Sequence, residues 1–568
     1  MLHLPASAAA DVHSSEVPLF RVKLIDLSET RRFAELDKLE SYFRCTQDDR
    51  KEYDWDGRFR GYGAVADIEP GWYVPIRNRR PDTRYDMARL ITTRLTSMVF
   101  GGERFPTLRV EGDEDAEDYV QELCRSSRLP ARMIEMRNLG GATGTGCASI
   151  GFVKGKPRVE VHNAKHCTVL EWEDEGDFRP AKVLKTFSYK RTMWDRETGK
   201  PKLVDFFYAR YWDQDIEIEW EPIPGEVAKT AAWQMWPKKV ERAHRAGFCP
   251  FYWVQNLPDS TEVDGEGDYE PFTDLLDRIN ALASSTNEGT IANIVPTLVI
   301  HDLPTANEGT VRKGREQAIY AEKGASYLEL KGEAIRSAKE LGEMFRGWAL
   351  DHAQVVLPAP EKLAAHAQSA AAMRVLYAPM IARCDQLREQ YGQDGVVQIV
   401  KGLLRMAKQI LATPPEPEVT EDGEIIEKVP AILLPPRVET ETNDEGETEI
   451  TYVDRLPGES EEITLSWGQY FSPTLVDIKA AVEAARLANG NKQLLSQKTS
   501  MEWVGQNFGV EDVDLELARI EEDAQKSLES TAQMYALGAA AADPLGLEGD
   551  RSDGADQTKQ KEKPGKGD

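Results

Sequence analysis

A chain of 568 residues is long enough for two to four domains, and 41% hydrophobic against 29% charged residues lets most of it fold. A net charge of −27 argues against a general nucleic-acid binder, which needs a basic footprint. It leaves open DNA that passes a like-charged wall without being held. Cys45, Cys124, Cys147, Cys167, Cys249 and Cys384 are scattered without CxxC pairing, as expected of reduced thiols in a cytoplasmically assembled protein. There is no signal-peptide pattern and no apolar run of roughly 18 residues for a membrane span.

Residues 1 to 28 are mixed and form an expected arm. Phe33, Leu36, Leu39 and Phe43 recur at helical spacing, residues 46 to 80 are rich in Gly, Pro and aromatics and predict loops, and Asp82 to Val99 predicts a helix stopped by Gly101-Gly102. Asp113 to Leu139 predicts another helix, broken near Pro130, with an acidic first turn that suits the helix dipole. The glycine run from Gly140 to Gly146 is expected to be a flexible helix-to-strand joint. It lacks the Lys-Ser/Thr of a phosphate loop. Alternation then predicts strands at Ala148 to Val153, Arg158 to His162, Thr168 to Trp172, Val183 to Ser188, Val204 to Tyr211, Ile216 to Trp220 and Phe251 to Val254. Together they make an antiparallel region with one wet face.

The stretch from Pro271 to Val356 organises the rest. Phe272, Leu275, Leu276, Ile279, Leu282, Ala283 and Thr286 mark one face of a helix that Pro296 stops. Ile335, Ala338, Leu341, Gly342, Phe345, Trp348 and Ala349 mark a second helix from Glu333 to Val356. Each is about 35 Å long at about 1.5 Å per residue. Between them Thr297 to Ile300 and Gln317 to Leu330 predict strands, with Arg312, Lys313 and Arg315 at the tip. Two matched helices with narrow apolar stripes bury little alone, and make sense as one stave of a multi-subunit barrel. Phe272, Leu275, Leu276, Ile279, Phe345 and Trp348 are the expected packing residues, with Trp348 among the well-buried ones.

Leu357-Pro358-Ala359-Pro360 cannot continue a helix. It leads through a loop bearing Glu361, Lys362, His366 and Gln368 into a long helical run to Leu411, expected to kink at Pro379. Thr413 to Ile463 holds sixteen Asp/Glu against Lys428, Arg437 and Arg455, hence a net −13, with a hairpin expected between Ala431 to Leu434 and Glu449 to Val453. Ile463 to Trp467 predicts a strand. Three helices follow near 474–489, 492–508 and 511–530, then a small, polar tail expected to be disordered.

Candidate chemistry is sparse. His162, His166, Cys167 and Cys147 are near in sequence, but on an extended chain the two histidines lie roughly 13 Å apart at about 3.3 Å per residue. A turn at Asn163-Ala164-Lys165 would be needed to bring them onto one metal ion. GxSxG, HExxH and Walker patterns are absent, so no residue is assigned a catalytic or metal role and no cofactor is expected.

The order of parts resembles portal proteins of tailed bacteriophages, the head-to-tail connectors. The resemblance spans about residues 80 to 530. It rests on Asp268-Tyr-Glu-Pro-Phe-Thr-Asp-Leu-Leu-Asp-Arg-Ile-Asn-Ala-Leu282, on the returning helix from Glu333, on Pro379 in the long helix, and on Gly468-Gln-Tyr-Phe-Ser-Pro473. It implies an α+β portal fold. Residues 1–267 would be an N-terminal arm and α/β wing, 268–294 the first stem helix, 295–331 a small β-containing clip and 332–356 the second stem helix. Residues 357–369 would be a tunnel loop, 370–470 a long kinked helix and remaining wing with the acidic insertion, 471–530 a helical crown, and 531–568 a disordered tail. It further implies a non-enzymatic ring of twelve copies at the unique capsid vertex of a virion, assembled in the host bacterial cytoplasm. Double-stranded DNA would pass through its channel during packaging and ejection. Glu361, Lys362, His366 and Gln368 would face the DNA. Arg312, Lys313 and Arg315 would dock first the terminase large subunit and then a head-completion adaptor or tail protein. Major capsid and scaffolding proteins are the other implied partners, and no membrane. An oligomeric scaffold without a DNA channel and a nucleotide-dependent packaging enzyme are the competing readings.

Overall fold

A computed structural model describes residues 31–50, 81–174, 179–194, 199–225, 227, 236–244, 246–259, 262–294, 297–300, 325–328, 333–357, 370–412, 418–419, 425–426, 432, 434–442, 448–471, 475–488, 496–505, 510 and 513–541. The chain divides into two compact units, Met1–Ala364 with Met373–Tyr470, and Ala365–Ala372 with Phe471–Asp568.

The first unit is mixed helix and antiparallel sheet. Helix α1 (Arg31–Phe43) buries Leu36, Leu39 and Tyr42, at the spacing its sequence gives. Helix α2 (Met87–Phe100) buries Met87, Ile91, Leu95, Met98 and Val99 and ends at Gly101, whose N–H donates to the Ser97 carbonyl. It starts later than Asp82 because the preceding residues hydrogen-bond elsewhere, as described below. Strand β1 (Thr107–Val110) leads to α3 (Glu114–Ser127), where the Asp113 carboxylate accepts from the Ala116 N–H as an N-cap. Arg128, in the left-handed region at φ 55°, separates α3 from α4 (Leu129–Thr143), with Pro130 in the first turn of α4.

The glycine run is packed, not a flexible joint. Gly140 and Gly141 close the last turn of α4, and a Cβ on Gly140 would sit 1.9 Å from the Tyr391 hydroxyl. Gly144 ends the helix at φ 82° against the Gly265 carbonyl, a conformation and a proximity that only glycine accepts at low cost.

Strands β2 (Thr145–Val153) and β3 (Lys156–Asn163) form a hairpin. Strands β4 (Cys167–Asp174), β5 (Arg179–Trp194), β6 (Pro201–Trp212), β7 (Ile216–Trp220), β8 (Ile223–Pro224) and β9 (Lys238–Ala243) make a six-stranded sheet of order β4-β5-β6-β7-β9, with β8 paired to β6. Strand β10 (Phe251–Gln255) joins the hairpin to give a second sheet, β10-β2-β3. One core contains Leu36, Cys147, Val183, Trp212, Phe251 and Trp253. A second contains Leu184, Tyr211, Ile218, Trp220 and Trp236.

Helices α5 (Thr273–Ile294) and α6 (Glu333–His352) flank β11 (Thr297–Ile300), which pairs antiparallel with β12 (Ala325–Leu328). Helix α5 is entered through a 3₁₀ turn at Glu270–Phe272 that carries Pro271. Helix α6 stops at His352, short of the expected Val356. Gln354 lies just beyond it in the left-handed region at φ 54°.

The long helical run is interrupted twice. Helix α7 (Ala370–Leu376) gives way at Tyr377 to α8 (Ala378–Gln390), with Pro379 in its first turn, so the expected break lies where the proline puts it. A π-helical segment, Tyr391–Val397, then precedes α9 (Gln398–Ala412), whose buried face holds Ile399, Val400, Leu403, Leu404 and Met406. Strands β13 (Glu418–Val419) and β14 (Ile425–Ile426) pair with each other. In the acidic segment β15 (Arg437–Thr442) pairs with β16 (Thr448–Val453), which moves the first strand of the expected hairpin from Ala431–Leu434 to beyond Pro435-Pro436. Strand β17 (Ile463–Ser466) returns to pair with β1.

The second unit holds α10 (Leu475–Ala488), α11 (Gln497–Gly505) and α12 (Val513–Ala541). Helix α12 runs to Ala541, past the point at residue 531 where the disordered tail was expected to begin. No helix among the described residues is long and apolar enough to cross a membrane.

Candidate functional site: the helical hairpin and its buried footing

Helices α5 and α6 pack along their stripes. A Cβ on Gly342 would lie 3.6 Å from Leu282 Cδ2, and one on Gly289 would lie 3.9 Å from Ile335 Cγ1, so both glycines sit at the contact line. At the base the Phe272 ring stacks on His352, with centroids 5.9 Å apart. Phe272, Leu276 and Ile279 are buried, and Leu275 and Phe345 are half-buried. Trp348 departs from expectation: it is 47% exposed, its ring against Phe345 at 5.6 Å. Leu341 and Met344 are exposed with it. Spaced three and four apart, these three side chains form one stripe on α6 that α5 does not cover.

The buried side of α5 is held by a strap the sequence did not reveal. The Thr83 N–H donates to Ser284 Oγ at 3.0 Å, and that hydroxyl donates to the Thr83 carbonyl at 3.1 Å. The Tyr85 N–H donates to Asn280 Oδ1 at 2.8 Å, and Arg346 Nε on α6 reaches the Tyr85 hydroxyl at 3.3 Å. Thr83 and Tyr85 are thus bonded to the hairpin, and Arg84 between them to the Cys45 carbonyl and Asp49, which is why α2 does not start at Asp82. In the sequence Asn280 and Ser284 look like ordinary polar helix positions. Their burial is the only signal, and it needs the structure.

Beneath the hairpin lies a node of buried polar groups. Arg137 on α4 and Asp268, just before α5, form a two-pronged ion pair at 3.1 and 3.0 Å, both side chains fully buried. Asn256 Nδ2 donates to the same carboxylate at 3.1 Å, and the Tyr391 hydroxyl donates to Asn256 Oδ1 at 3.2 Å. The guanidinium also lies over the Tyr391 ring at 5.5 Å. Burial works to lower the pKa of Arg137, but the Asp268 carboxylate outweighs it and holds the group above its usual value. The adjacent Tyr269 hydroxyl donates to the Leu39 and Ala142 carbonyls at 2.7 and 3.1 Å. The start of α5 is therefore fixed to α1, to α4 and, through Tyr391, to the π segment.

The His and Cys residues near β3 build no metal centre. His162 Nε2 lies 2.8 Å from Ser149 Oγ, and its Nδ1 lies 2.9 Å from the Lys185 ammonium. Burial, with Lys185 next, pushes its pKa well below the usual histidine range. Asn163 caps a 3₁₀ turn at Ala164–His166, so the turn considered from the sequence exists. His166 nevertheless packs against the Phe33 and Phe187 rings. Among the described residues no group of three or more His, Cys, Asp or Glu is placed to hold a metal ion. All six cysteines are free, and burial raises the thiol of Cys167 to about 11 and those of Cys124 and Cys384 to about 12. Such thiols stay protonated at neutral pH and are poor nucleophiles. Arg312, Lys313 and Arg315 at the tip, and Glu361, Lys362, His366 and Gln368 in the following loop, lie outside the described residues.

No family model matches the chain, and no curated protein matches it. Among solved structures the chain is similar to one described as "Neck of empty GTA particle computed with C6 symmetry". The identity is 12%, over 56% of this chain and 83% of that one, with a TM-score of 0.28.

Proposed function

We propose that this chain is a structural, non-enzymatic subunit of a phage portal ring. Its helical hairpin lines or supports a channel for double-stranded DNA. The observation that carries the reading is the hairpin: Phe272, Leu276 and Ile279 at the start of its first helix are buried within their own chain, while Leu341, Met344 and Trp348 on α6 form an apolar stripe left open. A stripe of that kind costs solvation unless a neighbouring copy covers it. The order of parts agrees, with a mixed α/β body before the hairpin, a twice-broken helix after it and a helical unit at the end. On this reading Arg312, Lys313 and Arg315 present cations to the packaging motor and then to an adaptor, and Glu361, Lys362, His366 and Gln368 line the narrowest part of the channel. The capsid and scaffolding proteins surround the ring at one vertex of the virion.

Native mass spectrometry with negative-stain imaging tests the proposal. A closed ring of about twelve chains, roughly 0.7–0.8 MDa, with a central hole supports it. A monomer, or an assembly without a hole, overturns it.

A further inference from the structure

Strands β5 and β6 run on beyond their sheet. Strand β4 pairs only with Arg179 to Lys185, and β7 pairs only with Arg210 to Trp212. From Lys190 to Trp194 and from Pro201 to Asp205 the two strands pair with each other and with no other described strand. A two-stranded ribbon without a third layer is marginal in water. This one also carries apolar groups into solvent: Trp194 is 72% and Leu203 64% exposed, with Met193 exposed beside them. Trp194 stands opposite Pro201, and Thr192 opposite Leu203, so Trp194 and Leu203 share one face. The ribbon is cationic in an acidic chain. From Lys190 to Asp205 the sequence holds Lys190, Arg191, Arg196, Lys200 and Lys202 against Asp195, Glu197 and Asp205, and of these Lys190, Arg191, Lys200 and Lys202 are exposed and form no ion pair among the described residues.

The same chain carries a second ribbon of opposite charge. Strands β15 and β16 pair with each other and with no other described strand. Val438 stands opposite Tyr452, and these are 55% and 70% exposed. From Arg437 to Val453 the sequence holds Glu439, Glu441, Asp444, Glu445, Glu447 and Glu449 against Arg437 alone. The exposure of Trp194, Leu203, Val438 and Tyr452 leaves these apolar side chains of both ribbons uncovered among the described residues.

We propose that the β5–β6 ribbon of one copy docks on the β15–β16 ribbon of a neighbouring copy. Trp194 and Leu203 cover Val438 and Tyr452, and Lys190, Arg191 and Lys202 meet the acidic strands. The contact is heterologous, since each copy gives one ribbon and receives the other. Repeated around an axis, such a contact closes a ring. The inference rests on the reading that copies of this chain assemble together.

The full-length protein tests it by native mass spectrometry and by cross-linking. The triple variant K190E, R191E and K202E should lower the ring fraction at least tenfold at fixed concentration, and adding E439K, E441K and E449K should restore it. All six positions lie on the strands of the two ribbons, and recovery in the combined variant also answers the objection that the triple variant is misfolded. In a separate chain carrying W194C and Y452C, mixed from isotopically heavy and light protein before assembly, a short bismaleimide should give dimers of one heavy and one light chain. Wild-type protein is the control for the native thiols. Rings unaffected by the triple variant, or cross-links confined within one chain, overturn the contact while leaving the portal reading intact. Normal rings that have lost retention of double-stranded DNA would assign the basic ribbon to nucleic acid and overturn the contact as well. A wild-type chain that stays monomeric overturns both readings.

Discussion

Arg137 carries its charge into a place that water does not reach, and Asp268 meets it there 131 residues further along the chain. Desolvating two charges is costly, and the pair holds because Asn256 donates a further hydrogen bond to the carboxylate, while the Asp268 N–H donates to the Gly141 carbonyl and fixes the backbone there. Removing one partner leaves the other charge uncompensated. Asp268→Asn should therefore cost about 3–5 kcal/mol of stability, read as a lowered Tm, whereas Arg137→Met with Asp268→Leu should cost less than Asp268→Asn alone. Equal losses in the single and double variants would place the cost in packing instead. His166 makes a different prediction. Burial first, and Lys165 next, lower its pKa from 6.5 to about 4, while Glu40 and Asp37 oppose the shift and Lys185 adds to it. The unfolded chain takes up the proton at higher pH than the folded one, so this residue's contribution is complete above pH 6.5 and is lost as pH falls towards about 4. Wild type should lose stability more steeply than His166→Gln across that window, by about 2 kcal/mol in all, allowing for the partial exposure of the ring. Parallel pH profiles would contradict the assignment.

At the scale of the element, the stripe on α6 decides where a truncation is felt. A tryptophan buried within its own chain would cost about 3–5 kcal/mol on truncation to alanine, and the sequence alone points to that outcome for Trp348. With 47% of the residue exposed, Trp348→Ala should instead leave the melting of an isolated chain within about 1 kcal/mol of wild type. The loss should appear in assembly, as a higher concentration needed for rings. A large fall in monomer Tm with unchanged assembly would return Trp348 to the chain's own core. Elements with one wet face were legible before the structure: α1, α5, α6 and most strands of the two sheets follow from periodicity alone. Three kinds of feature were not. Strand β9, Lys238-Lys239-Val240-Glu241-Arg242-Ala243, has four charged residues of six: Lys239 pairs with Glu219 and Arg242 with Glu217 across β7, and an alternation of apolar residues is not what holds it. For the partner of β16 the sequence points to the apolar run Ala431 to Leu434. The true partner begins after Pro435-Pro436 and leaves Val438 exposed, so hydrophobicity pointed to the wrong strand. The footing of the hairpin depends on Arg137, Asp268, Asn256 and Tyr391, whose meeting no local pattern encodes, and the π segment beside it has no helix-breaking signature beyond Gly392 and Gly395.

At the scale of the whole molecule, net charge sets a condition on assembly. Each chain carries −27, and bringing many copies together concentrates like charge. That repulsion acts over distances longer than a contact, and salt screens it, with a Debye length of about 10 Å at 0.1 M. Contacts made by apolar stripes such as Leu341, Met344 and Trp348 gain from the same salt, because they lose nothing to screening and the repulsion opposing them shrinks. A contact between oppositely charged ribbons weakens with salt, but only over its few charged pairs. The long-range term involves the whole surplus, so it should win. Raising sodium chloride from about 50 mM to about 300 mM should therefore shift the mass distribution towards complete rings at fixed protein concentration. The K190E, R191E and K202E chain, which is more acidic and lacks the attractive patch, should need more salt than wild type to reach the same ring fraction. Mass photometry across a salt series reads both. Rings that fall apart as salt rises would mean that complementary charge, not the apolar stripe, dominates the interface between copies.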